Sequence, residues 1–189
     1  MDKAIIYDQK RHKLERRAKL FRYIPYLQAA YMAGSMALGN ANEGSDFDII
    51  VVAPAGRLYT CRFFTLLVFS LLGWRTDVES RKMKDGFCLN HFITKCDPKL
   101  RMHPNDPNGI YSHYARQLEG NLIQLLIRPI SPIDPIGPIG RFVEMTLKQW
   151  QQRRIRRQIS QWHRPEIPSR LVVNDEEVHL CFRLRKLKD

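Results

Sequence analysis

Two aspartates two residues apart, Asp46 and Asp48, stand where a polar stretch enters the apolar run 47–53 (FDIIVVA). Side chains alternate across a strand, so both carboxylates project to one face. Paired carboxylates at the mouth of a strand make an oxygen site for Mg²⁺, which takes few protein ligands and completes its shell with substrate phosphates. Gly34-Ser35 lies upstream, with ten residues between it and Asp46. A glycine-serine turn brings backbone N–H groups and a hydroxyl close to those phosphates. Metal site and phosphate turn together are the parts phosphoryl chemistry needs. Ser45, just before Asp46, is read as a cap of the intervening turn.

The elements that must position these residues follow from the hydrophobic pattern. Residues 9–23 place Leu14, Ala18, Leu20 and Phe21 on one side of an amphipathic helix with a cationic outer face, ended by Pro25. A short apolar run, 26–33, fits a first strand closed by Gly34. The β-branched run 47–53 reads as a central strand, 57–73 as the helix after it, and 87–94 (FCLNHFIT) as a third strand alternating about Asn90. An α/β or α+β fold is expected, a mixed sheet flanked by helices with a C-terminal helical extension.

Residues 97–109 are expected to form a surface loop, and 111–127 a helix through Tyr114, Leu118, Leu122 and Leu125. From Pro129 to Pro138 proline recurs at every third position, which favours extended backbone. The expected organisation is a domain over 1–128, a proline-rich linker over 129–140, and a basic helix with a tail over 141–189, strand-like at 177–184.

The stretch AGSMALGNANEGSDFDIIVV, residues 33–52, resembles the signature of nucleotidyltransferases of the DNA polymerase beta superfamily: an apolar residue, Gly-Ser, a spacer of this length, and Asp-x-Asp entering an apolar strand. It is similar more closely to a bacterial and archaeal set of nucleotidyltransferase-domain proteins, through Gly56-Arg57-Leu58-Tyr59-Thr60-Cys61-Arg62 and Cys88-Leu89-Asn90, over about residues 25–127. The resemblance implies transfer of a nucleoside monophosphate from a nucleoside triphosphate to an acceptor. It makes Asp46 and Asp48 catalytic carboxylates that hold two Mg²⁺ ions, with Gly34 and Ser35 on the triphosphate and Arg57 or Arg62 on its outer phosphates. The superfamily's third carboxylate aligns with Asn90, which is taken as a site residue although an amide ligates a cation without acting as a base. Asp77 and Glu79 are the substitutes in reach of the pattern. A catalytically weak or inactive nucleotide- or nucleic-acid-binding module of the same fold is the alternative.

Composition adds a polyanion preference. Lysine and arginine total 31 against 19 aspartates and glutamates, a formal charge of +12. Seven of the basic residues and one glutamate lie in 141–164 beside Trp150 and Trp162, which suits contact with RNA or another polyanion. The four cysteines form no zinc pair or disulfide framework, and the six histidines are not at ligand spacing; His91 is expected on the face opposite Asn90. The uncharged segment 63–74 (FFTLLVFSLLGW) is too short to span a bilayer and reads as a buried helix. With no secretory signal at the start, a cytoplasmic location is expected.

Overall fold

The computed structural model describes residues 3–37, 39–76, 84–94, 123–127, 137–162 and 170–181. In chain order the elements are α1 (Lys3–Ala18), continued by a 3₁₀ turn (Lys19–Tyr23), β1 (Ala29–Ala33), α2 (Gly34–Ala37), β2 (Phe47–Val52), α3 (Leu58–Leu71), β3 (Arg75–Thr76), β4 (Phe87–Ile93), β5 (Ile123–Ile127), α4 (Pro138–Trp162), β6 (Arg170–Val173) and β7 (Glu177–Cys181).

Alternation along β2 divides the molecule into two sides. Phe47, Ile49 and Val51 join the main core, whereas Ile50 and Val52 join a smaller apolar cluster with Ala29, Ala33 and Ile93. The main core is the helix side: Leu14 and Ala18 of α1, Phe21, Phe69 of α3 and Ile155 of α4 all belong to it. At its centre the Phe21, Phe69 and Phe87 rings meet at centroid distances of 4.8, 4.7 and 5.9 Å. Burying each such ring contributes roughly 1.5–3 kcal/mol. Asp48, between Phe47 and Ile49, projects to the side away from the helices.

Seven strands make one mixed sheet in the order β5-β1-β2-β4-β7-β6, with β3 beside the first residues of β4. β1 runs antiparallel to β2 and β5, β2 parallel to β4, and β7 antiparallel to β4 and β6. Parallel neighbours need a crossover, and α3 supplies it between β2 and β4.

Several local expectations change. Residues 123–127 are not the end of a helix; they pair with β1, Ala29 opposite Ile127 and Met32 opposite Ile123. A run such as IQLLI suits helix and strand alike, and the open edge of β1 decides it. Helix α1 begins at Lys3, and its buried stripe, Ile6, Lys10, Leu14 and Ala18, includes a lysine expected on the cationic outer face. Helix α4 begins at Pro138, inside the stretch expected to be linker; proline is favoured in a first helical turn because its missing N–H has no intrahelical partner there. Within the apolar segment 63–74 Phe69 is fully buried but Leu71 is 78% exposed, so α3 is buried along one side only. The expected loop 97–109, the rest of the expected helix 111–127 and most of the proline run lie outside the described residues. No helix among the described residues is long and apolar enough to cross a membrane.

Helix α4 is tied to α3 by polar contacts. Glu144, the lone acid noted in its sequence, accepts the Tyr59 and Thr60 backbone N–H groups at 2.8 Å each and the Thr60 hydroxyl, closing the first turn of α3. Gln151 donates to the Tyr59 carbonyl at 2.7 Å, and the Tyr59 hydroxyl donates to the Asn174 carbonyl between β6 and β7 at 2.9 Å.

Candidate active site

The site starts where β1 ends. Ala33 is the register partner of Asp48, and the chain turns directly after it at Gly34, whose φ is +65°. A Cβ built on Gly34 would lie 2.0 Å from Asp48 Oδ2, so only glycine lets this backbone pass so close to the carboxylate. Ser35 follows in α2 with a half-buried side chain. The polar stretch closes at 42–45: the Asn42 N–H donates to Ser45 Oγ at 3.0 Å and the Ser45 N–H to the Asn42 carbonyl at 3.1 Å. Ser45 therefore caps the turn, in the role its position suggested.

Asp46, Asp48 and Cys88 bring one ligand atom each to within 4.8 Å of one another, all three half-buried. Cys88 is there because β4 runs parallel to β2 with Cys88 opposite Asp48. Burial pushes the Asp46 carboxyl above the usual carboxylate range, against the opposing pull of a backbone hydrogen bond and the Lys10 charge.

Lys10 was hidden in the sequence by its basic surroundings. Its Nζ donates to the Ser45 carbonyl at 2.7 Å and to Asp85 Oδ1 at 2.6 Å, while Lys13 and Arg17 also reach Asp85, Arg17 at the backbone carbonyl. The Phe47 N–H donates to the Gly86 carbonyl at 2.8 Å. One buried ammonium thus fastens the residues entering β2 to those entering β4, and sets the height of Asp46 against Cys88. Partial burial pushes the Asp85 carboxyl up, but the hydrogen bonds and charges of Lys10 and Lys13 more than reverse it and hold it below its ordinary value. The available signal was a lysine four residues from both Ile6 and Leu14.

The third-acid position is filled without an acid. Asp48 pairs with Cys88 and Ile50 with His91, so β4 spends one more residue than β2 between those pairs, and the strand bulges. Asn90 Nδ2 donates to Cys88 Sγ at 3.1 Å, which puts the amide beside the thiol. Among the described residues no third carboxylate lies within ligand reach of Asp46 and Asp48; Asp77 and Glu79 fall outside them. The bulge also corrects the reading of His91. Phe87, Leu89 and then Phe92 belong to the helix-side core, so alternation slips by one and His91 joins the side on which Cys88 and Asn90 meet. The expectation that no histidines cluster fails for the same reason: the His91 and His179 rings stack at 4.0 Å, and His91 Nε2 lies 3.1 Å from Glu177 Oε1.

The two arginines are not brought to the aspartates. Arg57 donates to the Gly140 carbonyl at 3.0 Å and lies over the Tyr26 ring at 4.6 Å, fitted so closely that a Cβ on Gly140 would fall 2.5 Å from Arg57 Nη2. Arg62 donates to Gln151 Oε1 at 2.6 Å and sits 5.6 Å from the Phe92 ring, on the helix side of the sheet and across it from Asp48. Burial, with Arg75 and Arg154 nearby, lowers its pKa to about 10. Both side chains belong to the docking of α4 on α3, because Arg57 and Arg62 fall on the buried side of that helix.

No curated protein and no solved structure matches the chain. Residues 11–99 match the family profile described as a nucleotidyltransferase domain, a segment running from within α1 to just past β4 and holding Gly34, Ser35, Asp46, Asp48, Cys88 and Asn90. Over residues 11–99 the chain is therefore similar to nucleotidyltransferase domains of the polymerase beta type.

Proposed function

We propose that this domain binds a nucleoside triphosphate together with Mg²⁺ through Asp46 and Asp48 and transfers its nucleoside monophosphate to an acceptor. The observation that carries the reading is the convergence of both carboxylates with the Gly34 backbone, which approaches Asp48 as no other residue could. The donor set fits: two carboxylates suffice for ions that draw their remaining ligands from water and phosphate. When bound, a pair of Mg²⁺ ions neutralises the triphosphate and aligns the attacking and leaving oxygens. The chain's part is to hold Asp46 and Asp48 at fixed height, through Lys10 and the turn at 42–45, and to leave space for phosphate beside Gly34 and Ser35.

Cys88 and Asn90 favour a second reading, nucleotide binding with little or no turnover. A thiol and an amide replace the carboxylate that would take the acceptor's proton, so an acceptor must ionise by other means. The acceptor class is supported by α4. Arg153, Arg154, Arg156 and Arg157 all face solvent, and Arg154 lies over the half-exposed Trp150 ring at 5.9 Å, a surface suited to RNA or another polyanion. Such a substrate pair implies a cytoplasmic setting.

The test is label transfer from a nucleoside triphosphate carrying a radioactive α-phosphate, with protein, RNA and small-molecule acceptors. Mg²⁺-dependent labelling that vanishes in Asp46→Asn and Asp48→Asn is expected for transfer. Metal-dependent nucleotide binding by calorimetry without labelling selects the second reading, and neither binding nor labelling removes both.

A further inference from the structure

The bulge that turns His91 creates a second cluster on β4, outside the carboxylate site. His91 and His179 are register partners across the antiparallel β4–β7 pair, and Glu177, opposite Ile93, is two residues from His179 on β7. Residues two apart on a strand share a face, and the one opposite on the next strand has its Cβ about 5 Å away. Three side chains on two neighbouring strands therefore meet head to head. Their ligand atoms lie within 4.8 Å of one another: Glu177 Oε1 is 3.1 Å from His91 Nε2 and 3.8 Å from His179 Nδ1. The side chains are nearly enclosed, with 11%, 19% and 11% of their surfaces exposed for His91, Glu177 and His179.

From this geometry we infer a binding site for a divalent transition metal of the Zn²⁺ class, with His91, Glu177 and His179 as ligands and a fourth position left for water or a bound group. Two imidazoles and one carboxylate form a borderline donor set that suits Zn²⁺, unlike the all-oxygen ligation of Mg²⁺. A tetrahedral ion with bonds of about 2.0–2.1 Å keeps its ligands about 3.3 Å apart. The separations of 3.1 and 3.8 Å bracket that spacing, and tilting the imidazoles toward Glu177 brings their nitrogens into reach. An ion also serves the electrostatics of the cluster, since two stacked imidazoles 4.0 Å apart repel each other if both are protonated. The centre is separate from Asp46 and Asp48: three residues along β4 from Cys88 is roughly 10 Å. It fastens β7, which lies outside the matched domain, to the strand that bears Cys88 and Asn90.

Titration of the full chain with Co²⁺, followed by visible absorption, tests the assignment without reference to catalysis. One equivalent is expected to give intense tetrahedral bands that one equivalent of Zn²⁺ displaces, and Zn²⁺ is expected to raise the melting temperature in a way a chelator reverses. His91→Gln, Glu177→Gln and His179→Gln each lower the Co²⁺ affinity at least tenfold, whereas Asp46→Asn and Asp48→Asn leave the bands unchanged. Loss of the bands in the aspartate variants, or their survival in the histidine variants, overturns the assignment. Should a variant fail to fold, ring-proton NMR of the wild-type chain decides: Co²⁺ shifts the His91 and His179 signals if they ligate it, and signals that respond to pH but not to Co²⁺ show a shared proton instead of a metal.

Discussion

A Cβ placed on Gly34 would stand 2.0 Å from Asp48 Oδ2, far nearer than an unbonded carbon and oxygen can come. The phosphate turn and the metal carboxylate are therefore fitted to each other, and changing either moves both. Gly34→Ala adds the strain of a side chain at φ +65°, about 1 kcal/mol, and pushes the carboxylate away from its partners. Mg²⁺-dependent nucleotide affinity measured by calorimetry should fall at least tenfold, about 1.4 kcal/mol, while circular dichroism still reports a folded chain. Unchanged affinity would separate Gly34 from the site.

Cys88 stands opposite Asp48, within ligand reach of both aspartates. Replacing it with a carboxylate, Cys88→Asp, adds a third acid opposite Asp48 and beside Asn90. If chemistry limits turnover, this variant should label acceptors faster than wild type, by about the hundredfold that a positioned base supplies. Asn90→Asp is the matched comparison, one pleat further along β4. A rate that drops in both variants would show that the thiol and amide are themselves required.

Asp85 predicts an acid sensitivity with a definite sign. Its folded carboxyl titrates below the ordinary value of 3.8, so its stabilisation is complete above that value and is lost as pH falls through the folded one. Asp85→Asn, an asparagine well suited to the left-handed backbone there at φ 60°, removes the partner of the nearly buried Lys10. At neutral pH it should cost about 3 kcal/mol in chemical denaturation, and the difference from wild type should shrink below about pH 4. Asp46 acts in the opposite direction: with its folded carboxyl raised, it favours the fold as pH falls from that raised value toward 3.8. The comparison at each pH cancels it.

Glu144 joins α4 to α3 as a cap supplied from another helix. Glu144→Gln keeps the shape but loses the charge and one acceptor toward the N–H groups of Tyr59 and Thr60. A cost of about 2 kcal/mol is expected, a drop in melting temperature of roughly 5 °C. Nucleotide binding at Asp46 and Asp48 should be unaffected, since α3 and α4 lie on the other side of the sheet; a matching loss of both would contradict that separation.

The sequence by itself determined what depends on neighbours along the chain. The spacing of Gly34-Ser35 and Asp46-Phe47-Asp48, the β-branched run of β2 and the apolar helix α3 all encode their conformation in a short window, so the fold class and the acidic pair were legible there. Tertiary structure decided what depends on pairing between distant segments. The free edge of β1 turned residues 123–127 into a strand, and the extra residue in β4 turned His91 to the face that meets Glu177 and His179. Docking of α4 drew Arg57 and Arg62 away from the carboxylates that the motif suggested for them. A strand's alternation can be read from its residues, but a bulge is a count of one strand against another, and no single segment contains that count.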